Sequence, residues 1–169
     1  MANYNFKKDI ILGEEGESVM INDLISMGAT YSSSNKNNTH DVIVNFKGND
    51  ICYECKTDFF DDTGNMFIET SCRGKASGIE VTKADWFVTY FKKLNEIWYI
   101  KTDKLKKILS ENKHKKATQC GDDGSNTEGV LLNKNMFRDE FIVRDPIKHV
   151  EIIRKWQKKY QRKLNLKSN

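Results

Sequence analysis

Three ionisable residues stand inside a run that otherwise reads as buried strand. In HDVIVNFKGNDICYECKTD, residues 40–58, Asp41 opens DVIV while Glu54 and Lys56 close ICYECK. Ionised groups are costly to bury unless something pairs with them. Strand side chains alternate in direction, so Cys52, Glu54 and Lys56 share one face and Ile51, Tyr53 and Cys55 the other. A hairpin turning at KGND returns the end of ICYECK to the start of DVIV. Asp41, Glu54 and Lys56 then meet at one edge of a sheet. Two converging carboxylates can hold a hard divalent cation such as Mg²⁺, or Mn²⁺ in its place. A lysine beside them can orient or help activate a water, or stabilise charge developing on a phosphate. Those are the parts of metal-assisted phosphodiester hydrolysis. The plainer alternative is a polar strand face with a cross-strand ion pair.

The same run contains CYEC, which invites a CxxC zinc or redox reading. Strand geometry argues against it, because residues three apart point to opposite faces. Cys72 and Cys120 form no second pair, and His114 stands alone in a lysine run. Half-buried reduced thiols are the better account.

The elements that must position these residues can be read along the chain. EEGESVMINDLISM, 14–27, predicts a helix with Met20, Ile21, Leu24 and Met27 at helical spacing and Gly28 as its C′ glycine. Its acidic start suits the helix dipole. The polar stretch 29–40 predicts a loop. Strands are expected at 41–46, 51–56, 66–71, 85–91 and 96–100, the last two aromatic and β-branched. A short helix is expected at 102–112 with Leu105, Ile108 and Leu109 as its stripe. Residues 113–135 read as a loop, and 136–143 as a late strand or edge segment. The order implies an α/β domain with one central mixed sheet flanked by helices. The expected division is a core over 1–145 and a basic helix over 146–169, starting at Asp145–Pro146 with proline at the first helical position.

Asp41 followed by Glu54-Cys55-Lys56 resembles the D…(D/E)xK motif of the restriction-endonuclease-like, or PD-(D/E)xK, nuclease superfamily. His40 stands where that motif usually has proline. ESVMINDLISMGA is similar to the first helix of archaeal Holliday-junction resolvases in this superfamily. There a glutamate about three turns before the terminal glycine completes the metal site. Glu17 occupies that place, with Glu14 one turn earlier as its rival. The resemblance covers roughly residues 13–58. It implies a restriction-endonuclease-like fold, with Asp41, Glu54 and Glu17 on the metal and Lys56 assisting the attacking water. It also implies a branched DNA substrate cut by a homodimer; linear or single-stranded DNA, or a silent DNA-binding module, are the rival functions. Beyond residue 58, MFIETSCRGKASGIEVTKADWFVTYF resembles a segment of small phage-type nucleases of this superfamily. By that likeness Glu69, Ser77, Gly78, Thr82 and Asp85 are candidates for supporting the site, and Lys75 for meeting a phosphate. Glu69 could sit by the metal, bind Lys56, or be an exposed strand carboxylate. The SGI stretch could equally be a plain connector.

Charge is unevenly spread. The net charge of +4 divides into −5 over residues 1–100 and +9 over 101–169. A basic second part can attract a polyanion. Lys104, Lys106, Lys107, Lys113, Lys115 and Lys116 form one candidate DNA-binding run, and Arg154, Lys158, Lys159 and Arg162 lie in another. The alternative is that they only solvate helix faces, with Val150, Ile153, Trp156, Tyr160 and Leu164 packing on the domain or a second copy. No apolar run reaches the ~20 residues that span a bilayer, and no signal-peptide pattern opens the chain. A cytoplasmic location is expected, in the host cell if the chain is viral.

Overall fold

The computed structural model describes residues 6–34, 39–59, 63–120 and 126–146. The helix expected after Pro146, with Arg154, Lys158, Lys159 and Arg162, lies outside the described residues.

Helix α1, Phe6–Ser26, starts well before residue 14. Gly13 disfavours so early a start, since glycine in a helix costs about 1 kcal/mol relative to alanine. The helix nonetheless runs through it. It ends as expected: Ala29 N–H bonds Leu24 O and Gly28 N–H bonds Ile25 O, with Gly28 at φ 95°. That is the Schellman closure, which a left-handed glycine makes cheap.

Six strands form the central sheet: β1 (Thr30–Ser34), β2 (Val42–Phe46), β3 (Asn49–Asp58), β6 (Trp86–Phe91), β7 (Glu96–Lys101) and β10 (Ile142–Arg144). Their spatial order is β1-β2-β3-β6-β7-β10. β3 and β6 run parallel, Tyr53 opposite Trp86 through Asp58 opposite Phe91, and the other pairs are antiparallel. A second sheet holds β4 (Asn65–Cys72), β5 (Lys75–Ala76), β8 (Lys115–Cys120) and β9 (Thr127–Asn133), in the order β5-β4-β9-β8. Helix α2 spans Thr102–Glu111 and the short α3 spans Lys134–Phe137; 3-10 turns lie at Gly78–Glu80 and Arg138–Glu140.

The result is a mixed central β-sheet flanked by helices, as expected, but with a second sheet that the sequence pattern did not announce. The strand expected at 66–71 belongs to that second sheet. The supposed loop at 113–135 supplies β8 and β9, whose Lys-, Gly- and Asn-rich composition hides a backbone ladder. The supposed loop at 29–40 contains β1, a polar edge strand paired antiparallel with β2. Of the late strand or edge segment expected at 136–143, the first part is helical turn, because Asn133 accepts a bond from Met136 N–H and starts α3, while its end joins the sheet as the edge strand β10.

Two cores result. On one face of the central sheet, Met20 and Leu24 of α1 pack on Val42, Val44, Tyr53, Cys55, Val88, Ile97 and Tyr99. On the other, Met66, Ile68 and Leu132 of the second sheet and Leu105 and Ile108 of α2 pack on Phe87, Phe91, Trp98 and Ile100. Asp23 of α1 is fully buried. It accepts from Tyr99 Oη at 2.9 Å and from Arg144 Nε at 2.7 Å, which pins α1 to β7 and β10. No described helix is long and apolar enough to cross a membrane.

Candidate functional site

The site lies where β2 stops and β3 continues. β2 pairs with β3 only as far as Val42 opposite Tyr53. Asp41 then turns its carboxylate back along β3, and Cys55 N–H donates to Asp41 Oδ2 at 2.8 Å. The aspartate thereby takes the place of a next ladder partner. Beyond it, residues 55–58 of β3 keep β6 on one side and have no β2 residue on the other.

Strand alternation sorts β3 as the sequence predicts. Tyr53 and Cys55 enter the core beneath α1, and Glu54 and Lys56 take the opposite face. Glu54 is 7% exposed, the most buried carboxylate of the group. Its Oε1 is 2.8 Å from Lys56 Nζ, and Lys56 keeps 41% of its side-chain surface exposed. Glu54 Oε2 faces Thr82 Oγ1 at 3.2 Å. Thr82 is itself buried and also reaches Thr39 O at 3.0 Å, while Ala84 N–H donates to its hydroxyl. A hydroxyl has one proton, so Thr82 donates to Glu54 or to Thr39 at any moment. Glu54 is held from two sides, by an ammonium and by this hydroxyl.

Glu17 approaches from α1. The helix can lie so close to β3 because Gly16, one residue earlier, has no side chain: a Cβ there would overlap Thr57 Oγ1. Glu17 is half-buried, whereas Glu14 is exposed. Burial raises the Glu17 carboxyl above its ordinary range; Asp41 and Glu14 raise it further, Lys56 opposes them, and Glu54 adds to the rise. Asp41 is also raised, first by burial; Lys56 and the Cys55 N–H pull it down while Glu54 pushes it up. Of the two rival glutamates, the fold brings Glu17 into the field of Asp41 and Glu54. For Lys56, burial alone would lower the ammonium, but Glu54 and Asp41 outweigh it and hold the side chain protonated, with Glu69 adding to the rise. An ammonium so held can orient a water or neutralise an anion, and is poorly suited to accept a proton.

The candidates drawn from the second half of the motif divide. Glu69, half-buried on β4, contributes its negative charge to Lys56. The 3-10 turn packs on it so tightly that a Cβ at Gly78 would come within 2.5 Å of Glu69 O. Thr82 touches Glu54 directly. Ser77 serves the backbone, donating its N–H to Thr70 O. Asp85 caps β3, accepting from Cys52 N–H at 2.8 Å. Lys75 is exposed on β5. Among the expected DNA-binding lysines, Lys104 pairs with Glu140 at 2.8 Å and Lys107 with Glu111 at 3.8 Å, while Lys115 and Lys116 are exposed on β8. Burial raises the Cys55 thiol well above its ordinary value, and Cys52 is raised too, again first by burial. With their side chains on opposite faces of β3, they form no CxxC site.

Sequence reasoning missed Thr39 and the packing role of Gly16, and it placed Lys106 only within a basic run. Thr39 acts through its carbonyl, which carries no side-chain signature. Lys106 donates to Thr82 O at 3.4 Å, yet in KLKK nothing separates it from its neighbours. Gly16 reads as a helix breaker until the strand beneath it is known.

Among the described residues, no three His, Cys, Asp or Glu side chains stand together in a ready metal cage. Lys56 pairs with Glu54 at 2.8 Å. The donor chemistry nevertheless suits a hard cation: Glu17, Asp41 and Glu54 offer carboxylate oxygens, the preferred ligands of Mg²⁺. Glu17 and Asp41 resist ionisation because burial desolvates them and Lys56 alone does not offset it. In comparisons with known proteins, no family model, no curated protein and no solved structure matches this chain.

Proposed function

We propose that the chain is a Mg²⁺-dependent DNA endonuclease of restriction-endonuclease-like fold, with Mn²⁺ able to replace Mg²⁺. One observation carries the reading. Asp41, Glu54 and Lys56 meet at the split between β2 and β3, and Glu17 of α1 shares their electrostatic field. That juxtaposition agrees with the D…ExK resemblance and its helical glutamate. Asp41, Glu54 and Glu17 would hold the ion. When bound, Mg²⁺ polarises a phosphoryl oxygen and lowers the pKa of a bound water.

The chain's own residues do the rest. Cys55 N–H fixes the Asp41 carboxylate. Thr82 and the site's burial fix Glu54. Lys56, held protonated, orients the attacking water or offsets charge gathering on the phosphate. Branched DNA cut by a homodimer, and a cytoplasmic setting, are drawn from the resolvase-like start of the chain; linear or single-stranded DNA is the rival substrate. The Lys56–Glu54 ion pair favours one further reading, a silent DNA-binding module in which lysine permanently replaces the metal.

Glu54→Gln decides between catalysis and binding. It should abolish Mg²⁺-dependent cleavage of a four-way junction, a duplex or a single strand while leaving DNA affinity in EDTA unchanged. Equal cleavage by the purified variant would refute the site. Wild-type protein that binds DNA but cuts none of the three substrates with Mg²⁺ or Mn²⁺ would establish the silent module.

A further inference from the structure

The candidate site is poor in positive charge for something that must admit a phosphodiester. Glu54 pairs with the Lys56 ammonium at 2.8 Å, and Glu17, Asp41 and Glu69 act on the same cation. An incoming polyanion meets net repulsion unless cations stand on the approach. Lys104 and Lys107 do not serve this need well, since each already faces a carboxylate.

Two other lysines belong to the wall of the site, Lys83 through its backbone and Lys106 through its ammonium. Both attach to the peptide unit that joins Thr82 to Lys83. Its N–H, from Lys83, donates to Thr39 O at 2.8 Å. Its carbonyl, from Thr82, accepts from Lys106 Nζ at 3.4 Å. The Thr82 side chain turns inward to Glu54, and Ala84 is buried, so the intervening Lys83 side chain is the exposed one of the three. Lys106 is exposed as well and comes from a different element, α2. Neither ammonium faces a carboxylate in an ion pair among the described residues. Lys106 spends one of its three N–H donors on Thr82 O, which fixes its position and leaves two for an anion.

The spacing also fits. From Glu54 Oε2 to Thr82 Oγ1 is 3.2 Å, and from Thr82 O to Lys106 Nζ is 3.4 Å. With one residue between, the Lys106 ammonium lies at most roughly 10 Å from Glu54. That is about three base-pair steps measured along the axis of B-form DNA.

We infer that Lys83 and Lys106 form a two-cation clamp for the phosphodiester backbone of a DNA strand, seated on the Thr39–Thr82 junction beside Glu54. The clamp reads charge, not base identity, because both groups are point-charge donors on flexible stems. The nuclease reading supplies the identity of the anion; the clamp's geometry does not depend on cleavage. Because Lys106 and Glu54 are tied to the same threonine, a strand held by the clamp is also placed against the carboxylates.

The test measures binding of the full chain to a fluorescent 20-base-pair duplex by anisotropy, in EDTA, from 50 to 200 mM KCl. Each lost phosphate contact should flatten the log–log salt slope by about 0.9. K83A/K106A should therefore flatten it by roughly 1.8 and weaken binding by about 10- to 100-fold at 100 mM salt. K83R/K106R should keep the wild-type slope, which a purely structural role for either lysine would not predict. The comparison variant K104A/K107A should flatten the slope much less. The clamp is overturned if K83A/K106A keeps the wild-type slope, if K104A/K107A flattens it as much, or if the wild-type chain does not bind the duplex. Should the slope change as expected while the wild-type chain cuts no DNA with Mg²⁺ or Mn²⁺, the clamp stands and the nuclease reading falls.

Discussion

Gly16 and Thr57 offer the most direct test of how α1 delivers Glu17. In an ordinary helix, Gly→Ala gains about 1 kcal/mol, because alanine has less backbone entropy to lose. Here the new methyl would overlap Thr57 Oγ1 and lie 3.2 Å from Thr57 Cβ. Forcing an extra group into a packed contact costs about 1–3 kcal/mol. The overlap is severe, so the upper part of that range applies and Gly16→Ala should lose about 1–2 kcal/mol net. For a chain of this size that lowers Tm by roughly 2–8 °C. Thr57→Ala removes the offending oxygen. That oxygen is buried without a hydrogen-bond partner, so its loss forfeits no bond. The double variant then needs its neighbours to give by only a few tenths of an ångström. It should recover most of the Gly16→Ala loss, a coupling of about 1–2 kcal/mol. Four melting curves measure this cycle, and Mg²⁺-dependent cleavage by the same four proteins should fall and recover in parallel. If Gly16→Ala raises Tm, or if the two changes add without coupling, the close helix–strand contact does not exist and Glu17 is not positioned by it.

Glu17→Gln should raise Tm at pH 7.5 while reducing cleavage. A carboxyl raised above its ordinary range contributes stability below that range and loses it as pH rises, and an unchanged or lower Tm would contradict the charge imbalance. Glu96 has the opposite sign. Arg138 bonds its carboxylate and lowers it from the ordinary 4.5, so its stabilisation is present above that value and is lost as pH falls below it. The stability gap between wild type and Glu96→Gln should accordingly narrow from pH 6 to pH 3, and a constant gap in urea melts would argue against the pair. Asp23→Ala strips the partner from buried Tyr99 and from Arg144. Breaking a buried ion pair costs about 3–5 kcal/mol, reduced to about 2–4 here because Arg144 is partly exposed; a loss under 1 kcal/mol in urea unfolding would show the network to be idle.

The legible part of the fold was whatever a side-chain period could encode. Alternation in ICYECK assigned Glu54 and Lys56 to one face and separated the two cysteines. The 3.6-residue spacing of Met20 and Leu24 located the buried stripe of α1, and Gly28 marked its end. What stayed hidden was held by backbone or by distant packing. TYSSS has no apolar alternation, yet it forms an edge strand by main-chain pairing with β2. β9 is interrupted by Gly129, which lies beneath the Phe67 ring of the neighbouring strand, so glycine there marks a packing contact where composition suggested a loop. Asp23 reads as a solvated helix residue because Tyr99 and Arg144, its partners, are 76 and 121 residues away.

The arrangement also explains how so many carboxylates coexist in a small domain. Buried in an unbroken sheet, Glu54 and Asp41 would each face several kcal/mol of desolvation. At the split between β2 and β3 the burden is shared. Asp41 replaces a missing ladder partner and so receives a backbone N–H in return. Glu54 keeps one oxygen on an ammonium and the other on a hydroxyl. Glu17, reaching in from α1, is raised by burial and by Asp41 and Glu14, and Lys56 offsets this only in part. Of the three, Glu17 is the carboxylate with most to gain from a cation. A divalent ion that stabilises the wild-type chain should therefore lose most of that effect in Glu17→Gln, whereas Glu14→Gln, on an exposed residue one turn away, should keep it.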